Sequence, residues 1–407
     1  MPEVLKPTTP DQALDAVRWA VVEEVPLEVA SRGTKRALGR PFQADHMLDL
    51  SALSGIDLYE PEELVMTAGP GTSLAEIEAV LAERRQQLAF EPSDLGPLFG
   101  VPEGQGSIGG VFACNLSGPR RIKGGAARDH LLGLAAVSGR GEAFKAGGRV
   151  VKNVTGYDLP KLMCGSYGTL AALTGLTFKV LPAPETTRTI LVLGLDDRRA
   201  VEALSSALRS PSETAGAAHV PAGPAAHSAV DRVRAPGTAV TALRVEGFGP
   251  SVASRGDALR GLMAGYGPVE ELDAEESVAF WREVRDVRWF ADGDRIVWKL
   301  SVPPTGGPAV AAAIGIAGEH CFDWGGGLVW LALDPDAAGE DGGAARVRAA
   351  LAPAGGHATL IRAADTLRAS VDVFQPQPEP LAALSARVKQ GFDPKRILNP
   401  GRMFAGV

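Results

Sequence analysis

The sequence has few of the residues that build covalent or metal-linked frameworks. Its 407 residues include only three cysteines, Cys114, Cys164 and Cys321. They are odd in number, far apart and form no C-x-x-C pair, which argues against both a disulfide framework and an iron–sulfur cluster. Cys114 and Cys164 are instead typical of small buried hydrophobic residues.

Closely spaced histidines are also missing. None of the six histidines stands in the H-x-H or H-x-x-x-H spacing that is typical of metal ligands. We therefore expect no metal site and expect each histidine to pack in the core or lie at the surface. The six are His46, His130, His219, His227, His320 and His357.

Long apolar runs and excess positive charge are absent as well. No apolar run reaches the roughly 18 residues of a membrane span, and no basic segment leads into an apolar one. The net charge of −7 excludes the electrostatic footprint of a nucleic-acid-binding protein. We expect a cytoplasmic protein that meets a membrane only through partners, and its length predicts about two to three domains.

Glycine is abundant, with 49 residues, and it recurs at short spacing from Gly104 to Gly125. Glycine lets bare backbone N–H groups approach a ligand, so this stretch predicts a cradle for a phosphate-bearing cofactor. Gly104, Gly106 and Gly109 match the G-x-G-x-x-G spacing of a dinucleotide-binding βαβ unit. We reject that interpretation because no apolar strand precedes the match, and residues 115–123 are too broken and too basic for the strand that should follow.

Local signals predict the elements around this stretch. Thr9 and Gln12 form a capping box at the start of a first helix, Leu27–Ala30 forms a strand, and Ser73 caps a second helix. Beyond residue 183, helical and extended patterns alternate, which indicates an α+β region. The Ala-, Pro- and Gly-rich segment 210–237 is expected to be a loop.

One aromatic group in that second region has two interpretations. Trp281, Trp289 and Phe290 lie on one helix-like segment. They form either a docking face for another protein or a buried core stripe, which is the more common arrangement of such residues.

Several motifs follow one another in a fixed order along the chain. They are Ser107-Ile108-Gly109-Gly110, Asn115-x-Ser117-Gly118, Arg128-Asp129, the segments 151–159 and 165–170, and the C-terminal segment 391–404. This combination resembles the FAD-binding domain of the vanillyl-alcohol-oxidase/para-cresol-methylhydroxylase (PCMH) superfamily. Within that superfamily it is most similar to the FAD-binding second subunits of bacterial glycolate oxidases.

The resemblance implies an α+β fold with three parts. A two-lobed PCMH-type FAD-binding domain would occupy residues 1–183, with lobes at about 1–92 and 93–183. An α+β cap domain would occupy 184–375, and the segment 376–407 would return to the FAD-binding domain.

The resemblance also implies which residues bind FAD. The loop at 31–40 would hold the pyrophosphate, Arg120 and Arg128 would lie nearest the flavin ring, and Asn399 would lie close to it. From the residues alone, the loop could equally be a solvated basic turn, and Arg128 with Asp129 a local ion pair. The full set is Arg32, Gly33, Thr34, Lys35, Pro70, Gly71, Gly106, Ser107, Ile108, Gly109, Gly110, Asn115, Ser117, Gly118, Arg120, Arg128, Lys152, Gly156, Tyr157, Asp158 and Asn399. Because neither 31–40 nor 67–73 contains His or Cys, non-covalent FAD is expected.

The function implied is that of an FAD-binding subunit of a glycolate oxidase (glycolate dehydrogenase) complex, an oxidoreductase acting on CH–OH groups. Its partners would be a related FAD-containing catalytic subunit and an iron–sulfur subunit. Catalytic relatives carry closely spaced His and acidic residues in the cap, and this sequence lacks them, so no catalytic residue is assigned. The alternatives are a self-sufficient FAD-dependent 2-hydroxyacid dehydrogenase, a flavin-free scaffold subunit, and an NADPH-dependent reductase of cell-wall precursor synthesis.

Overall fold

The computed structural model describes residues 2–150 and 156–406. The chain folds into two compact units. The first unit contains Met1–Leu116, Gly125–Pro182 and Pro376–Val407, and the second contains Ser117–Gly124 and Ala183–Gln375. The second unit is therefore inserted into the chain of the first.

The strands are numbered in chain order. They are β1 Glu3–Leu5, β2 Leu27–Ala30, β3 His46–Asp49, β4 Ile56–Glu60, β5 Val65–Ala68, β6 Gln86–Gln87, β7 Leu131–Ser138, β8 Ala143–Gly147, β9 Ala171–Lys179, β10 Leu181–Pro182, β11 Thr186–Leu193, β12 Gly216–Val220, β13 Val240–Gly247, β14 Val269–Leu272, β15 Ile296–Ser301, β16 Gly318–Asp323, β17 Leu328–Leu333 and β18 His357–Arg362.

The helices are numbered in the same way. They are α1 Pro10–Glu23, α2 Leu74–Glu83, α3 Ile108–Cys114, α4 Arg121–Gly124, α5 Ala127–His130, α6 Leu159–Met163, α7 Asp197–Arg209, α8 Ala222–Ala225, α9 Asp231–Arg234, α10 Gly249–Met263, α11 Ala274–Asp286, α12 Gly307–Ile314, α13 Pro335–Ala338, α14 Ala344–Leu351, α15 Asp365–Ser370 and α16 Glu379–Phe392.

The first unit has two main sheets and a small third sheet of two short strands. A parallel sheet has the order β1-β3-β2, an antiparallel sheet has the order β4-β5-β9-β7-β8, and β10 pairs with β6. The core beside the parallel sheet includes Leu27 and Leu48, and Ile397 and Leu398 complete it. The C-terminal segment 376–407 thus belongs to this unit.

The second unit is built on one antiparallel sheet of eight strands, in the order β14-β11-β13-β12-β16-β17-β15-β18. Helices α7 and α10 pack on it through buried residues such as Leu204 and Leu259. Trp281, Trp289 and Phe290 are all buried. They form a core stripe, and the docking-face alternative is wrong.

Two local predictions need correction. Segment 210–237 is not a loop, because β12 lies in the middle of the sheet, paired with β13 and β16. Its small residues gave a weak strand signal, yet they are what a closely packed central position accepts. Thr9 caps α1 by accepting from Gln12 N, but the Gln12 side chain binds Thr8 rather than closing the capping box on Thr9.

Within residues 2–150 and 156–406, no helix combines the length and apolar character needed to cross a membrane.

Candidate cofactor site

A cavity with an empty volume of about 700 Å³ lies within the first unit. Its walls come from five separate parts of the chain and from one residue near the C-terminus. The lining residues are the run 29–36, Leu50, Pro70, Ser107, Gly109, Gly110, Ala113, Cys114, Ser166, Tyr167, Gly168, Ala171, Leu173 and Arg402.

One wall is the loop that follows β2. Gly33 has a φ of 76°, which glycine adopts without strain and which reverses the chain at this point. Within the described part of the chain, no hydrogen bond engages the backbone N–H groups of Arg32, Gly33, Thr34 and Lys35. Successive free N–H groups of this kind form a nest that binds anions.

Two buried cations face the same cavity. Lys35 Nζ donates to Thr34 Oγ1 at 3.2 Å, and Arg402 Nη2 donates to the carbonyl oxygens of Lys35 and Arg36. No carboxylate among the described residues forms an ion pair with Lys35 or Arg402, whereas the neighbouring Arg36 is paired with Glu28 at 2.6 Å. Burial lowers the pKa of both Lys35 and Arg402. Buried charges are normally paired, so these two cations are suited to binding an anionic ligand.

The opposite wall is the start of α3. Ser107 caps this helix, and a Cβ on Gly109 would lie 2.6 Å from the Pro70 carbonyl oxygen. The N–H groups of Ile108 and Gly109 donate to the carbonyls of Thr72 and Pro70. These backbone groups therefore hold the loop before α2, and the absence of a side chain at Gly109 is what lets the two segments touch.

The cavity thus has a polar end and an apolar end. The polar end offers free N–H groups and two unpaired cations, which fit a diphosphate. The apolar end is formed by Val29, Leu50, Ala171 and Leu173, which fit an aromatic ring system. A nucleotide cofactor of the FAD type satisfies both ends.

Of the predicted site residues, eight line this cavity: Arg32, Gly33, Thr34, Lys35, Pro70, Ser107, Gly109 and Gly110. Others belong to the first unit but are not among the lining residues: Gly71, Gly106, Ile108, Asn115, Arg128, Gly156, Tyr157, Asp158 and Asn399. Ser117, Gly118 and Arg120 belong to the second unit. Lys152 lies outside the described residues.

The residues around Arg128 have local partners. The N–H of Arg128 donates to Asn115 Oδ1, and the Asp129 carboxylate accepts from the N–H of Ala126. Asp158 caps α6 by accepting from Lys161 N, and it also pairs with the Lys161 ammonium. Tyr157 is 91% exposed.

In the second unit, the segment that contains Ser117, Gly118 and Arg120 is tied to the sheet. Arg120 Nε donates to both carboxylate oxygens of Glu246, at 2.9 and 3.0 Å. The Gly118 carbonyl accepts from Trp324 Nε1 at 3.1 Å. The charge of Arg120 is therefore largely neutralised by Glu246 within its own unit.

Thirteen of the 21 lining residues were not among the predicted site residues, and three of these have side chains that bear on cofactor chemistry. Arg402 stands three positions after Asn399 in the C-terminal motif, and the motif was the signal that pointed to it. Cys114 immediately precedes Asn115, and Tyr167 lies in the motif at 165–170. The Cys114 thiol is held in its neutral form, since burial raises its pKa.

Two histidines that are far apart in the sequence, His219 and His320, lie close together in the fold. Strands β12 and β16 are neighbours, and the start of α7 places Asp197 beside His219 and His320. Asp197 Oδ2 is 2.8 Å from His320 Nε2, and Asp197 Oδ1 is 3.3 Å from His219 Nε2. Burial alone would raise the pKa of Asp197, but hydrogen bonds from the two histidines lower it overall. Across the described ranges, no three His, Cys, Asp or Glu side chains are arranged to hold a metal ion.

Comparisons with known proteins identify the cofactor. Residues 2–147 match the family model described as an FAD binding domain. The glycolate oxidase subunit GlcE of Escherichia coli (strain K12) is 34% identical over 393 residues, which cover 96% of each chain. The glycolate oxidase subunit GlcD of Bacillus subtilis (strain 168) is 29% identical over 54% of this chain and 44% of its own.

The fold has a solved counterpart. A structure of p-cresol methylhydroxylase with bound substrate superposes with a TM-score of 0.69 at 14% identity, over 98% of this chain and 88% of its own. The fold and the cavity therefore define a PCMH-type flavoprotein whose cofactor is FAD, within the FAD-dependent oxidoreductases. More narrowly, the chain belongs to the family of the glycolate oxidase subunit GlcE.

Proposed function

We propose that this chain is the FAD-binding subunit of a glycolate oxidase complex, which oxidises glycolate to glyoxylate. The observation that carries the proposal is the cavity of the first unit, where Lys35 and Arg402 are buried without a carboxylate partner. The similarity to GlcE along nearly the whole chain supplies the substrate and the role as a subunit.

In this proposal FAD is held without a covalent bond. The N–H groups of Arg32 to Lys35, together with the Lys35 and Arg402 side chains, bind the pyrophosphate, and the apolar end packs on the ring system. Cys114 and Tyr167 are the thiol and the phenol among the lining residues. Burial raises the pKa of both and keeps them in the neutral, weakly nucleophilic form. Acid precipitation should therefore release all of the flavin into the supernatant, whereas a covalent link would leave it in the pellet.

When bound, FAD would supply two-electron redox chemistry to the complex. The chain's own residues orient the cofactor and exclude water from its buried end. The proposed partners are a related FAD-containing subunit that binds glycolate and an iron–sulfur subunit that receives the electrons. Association with a membrane, if present, comes through them.

The proposed division of labour follows the chain. Residues 1–183 and 376–407 form the FAD-binding part, and residues 184–375 form the cap. The remaining predicted site residues, including Asn115, Arg128 and Lys152, stay proposals for contacts with the flavin.

A second candidate function has one specific observation in its favour. In the second unit, the ammonium group of Lys299 lies 5.3 Å from the ring centroid of Trp324 and 5.6 Å from that of Trp330. The Arg121 guanidinium stacks on Trp324 from the segment 117–124. Burial, and then the Arg121 charge, lowers the pKa of Lys299 to about 8. A cationic site of this kind suits a small carboxylate, as a self-sufficient 2-hydroxyacid dehydrogenase would require.

One experiment separates the two functions. The chain is purified alone, loaded with FAD, and mixed with glycolate or D-lactate in the absence of air while the flavin absorbance near 450 nm is followed. A loaded protein that neither acid bleaches, but that bleaches with glycolate once the other subunits are added, supports the subunit. Bleaching of the isolated chain would establish the dehydrogenase, and a chain that binds no FAD would overturn both.

A further inference from the structure

The C-terminal motif carries two side chains whose contacts differ in kind. Asn399 is almost fully buried and binds only backbone, while Arg402 lines the cavity itself. Both are contributed by the last part of the described chain, although the rest of the cavity is built by residues 29–173.

The Asn399 carboxamide forms three of the four hydrogen bonds open to it, all with backbone groups. Its Oδ1 accepts from the N–H of Val29 at 2.8 Å, and its Nδ2 donates to the Tyr167 carbonyl at 2.7 Å and to the Val29 carbonyl at 3.3 Å. Val29 and Tyr167 both line the cavity. Asn399 therefore joins two walls of the cavity, and both of its N–H donors are used in doing so.

Glycine at position 168 makes this junction possible. A Cβ there would lie 2.8 Å from Asn399 Nδ2, and Gly168 has a φ of 70°. Any side chain would push the carboxamide away from the wall that contains Tyr167.

Arg402 is only partly satisfied. Its Nη2 atom donates to the carbonyls of Lys35 and Arg36, and these are the hydrogen bonds of its side chain within the described chain. Nε and Nη1 remain as charged donors in a buried place beside the free N–H groups of the loop at 32–35. A guanidinium in that state is suited to an anion or to a carbonyl of the cofactor.

The base of the segment is fixed independently. Lys389 Nζ donates to Asp393 Oδ2, to the Thr169 carbonyl and to the Leu398 carbonyl, and Asp393 accepts from the N–H groups of Ile397 and Leu398. This arrangement holds residues 393–398 in place, so that Asn399 reaches the two walls that it joins and Arg402 faces the cavity.

From these contacts we infer that residues 393–402 close the FAD cavity, with Arg402 as a cofactor-binding residue and Asn399 as a positioning residue. FAD and the segment then stabilise one another. If the ordered segment makes the free energy of FAD binding more favourable, bound FAD must stabilise the ordered segment by the same amount, as thermodynamic linkage requires. The inference rests on FAD binding and is independent of glycolate as substrate.

The test uses the full-length chain, stripped of flavin and reconstituted. Arg402→Met should raise the Kd for FAD about 10- to 100-fold, the range expected for lost hydrogen bonds to a charged group. Arg387→Met is the matched control, since Arg387 is exposed on α16, and it should leave the Kd unchanged. Asn399→Asp keeps the acceptor but places negative charge against two carbonyls, and should raise the Kd about tenfold or more.

Hydrogen exchange provides a readout that a purely structural role would not move. In the wild type, FAD should slow exchange of the amides of 393–404, and in Arg402→Met this slowing should be lost even where the unliganded variant is as stable as the wild type. Equal FAD affinity of Arg402→Met and wild type, or no effect of FAD on exchange in this segment, would overturn the inference. If Arg402→Met does not fold, the exchange measurement on the wild type still decides. A wild type that binds no FAD at all would instead refute the cofactor assignment.

Discussion

Two regions of the first unit each bury a lysine, and they treat its charge in opposite ways. At the base of the C-terminal segment, Lys389 is 2% exposed and its ammonium group has three acceptors, one of them the Asp393 carboxylate. In the cavity, Lys35 is 9% exposed and has the Thr34 hydroxyl as its side-chain acceptor. Burial is the first cause that lowers the pKa of both lysines.

The difference separates structure from function. A saturated buried ion pair fixes the local fold, and its loss leaves an uncompensated charge. An unsaturated buried cation destabilises the unliganded protein and is stabilised by a ligand. Exposure alone does not distinguish the two lysines; the count and charge of their acceptors does.

The largest effect is expected at Lys389. Lys389→Met leaves Asp393 buried without its partner and should lower the free energy of unfolding by about 3–5 kcal/mol in urea denaturation. The double variant Lys389→Met/Asp393→Leu should recover much of that loss, because both charges are gone. A single variant that loses less than about 1 kcal/mol would show that water compensates Asp393, which contradicts the saturated pair.

Lys35 should show the reverse pattern. Lys35→Met removes a buried charge that is unpaired without FAD, so the stability of the unliganded protein should stay the same or rise. The Kd for FAD, measured by flavin fluorescence, should rise about 10- to 100-fold. Lys145→Met, at an exposed position, serves as the control for loss of one positive charge. If Lys35→Met instead destabilised the unliganded protein and left the FAD affinity unchanged, Lys35 would be a structural residue like Lys389 and not a ligand-binding one.

In the second unit, Asp197 offers a test of a charge that is held by histidines. The pKa of Asp197 is lower in the folded protein than its value of about 3.9 in the unfolded chain, so the carboxylate stabilises the folded state at pH values above about 3.9. This stabilisation is lost as the pH falls below that value, because the unfolded chain takes up the proton first. Asp197→Asn should therefore flatten the fall of stability between about pH 4 and pH 2. At pH 7 it should cost about 1–2 kcal/mol. Parallel pH curves for the two proteins would contradict this account.

The smallest effect is expected at a helix cap. Ser107 and Ser73 cap α3 and α2, accepting from the N–H groups of Gly110 and Glu76. Replacement of either by Ala should cost about 1 kcal/mol in thermal or urea denaturation. Ser107→Ala should also weaken FAD binding, by less than Lys35→Met, because Ser107 lines the cavity. Ser73→Ala should leave the Kd for FAD unchanged. Equal effects of the two variants on that Kd would contradict a role of Ser107 in the cavity.

Much of the fold could be predicted from local signals. Strands such as β2 and β13 have strong apolar runs, and α1 and α2 begin at capping residues that the sequence marks clearly. The glycine-rich stretch and the ordered motifs also led to the correct superfamily and cofactor. The loop at 32–35 was assigned to the pyrophosphate, and the structure places its free N–H groups at the polar end of the cavity.

The errors have a common physical cause. Strand β12 consists mainly of small residues, and its place at the centre of the sheet depends on partners at 240–247 and 318–323 that local patterns do not reveal. The meeting of His219, His320 and Asp197 depends on the same pairing. The place of Asn399 beside the flavin stays a prediction; the tertiary structure adds that its carboxamide binds Val29 and Tyr167 and that Arg402 lines the cavity.

The insertion of the second unit into the first affects the order of events during synthesis. Leu27 forms a bridge with Leu398, and the two residues are separated by 371 positions, counted from 27 to 398. A ribosome must therefore produce all of the second unit before the hydrophobic core around Leu27 receives Ile397 and Leu398. The second unit is free to fold during translation, while the nascent first unit keeps an incomplete core until the last turns of the chain emerge. Premature termination anywhere after residue 182 would leave that apolar surface uncovered, which makes truncated chains prone to aggregation.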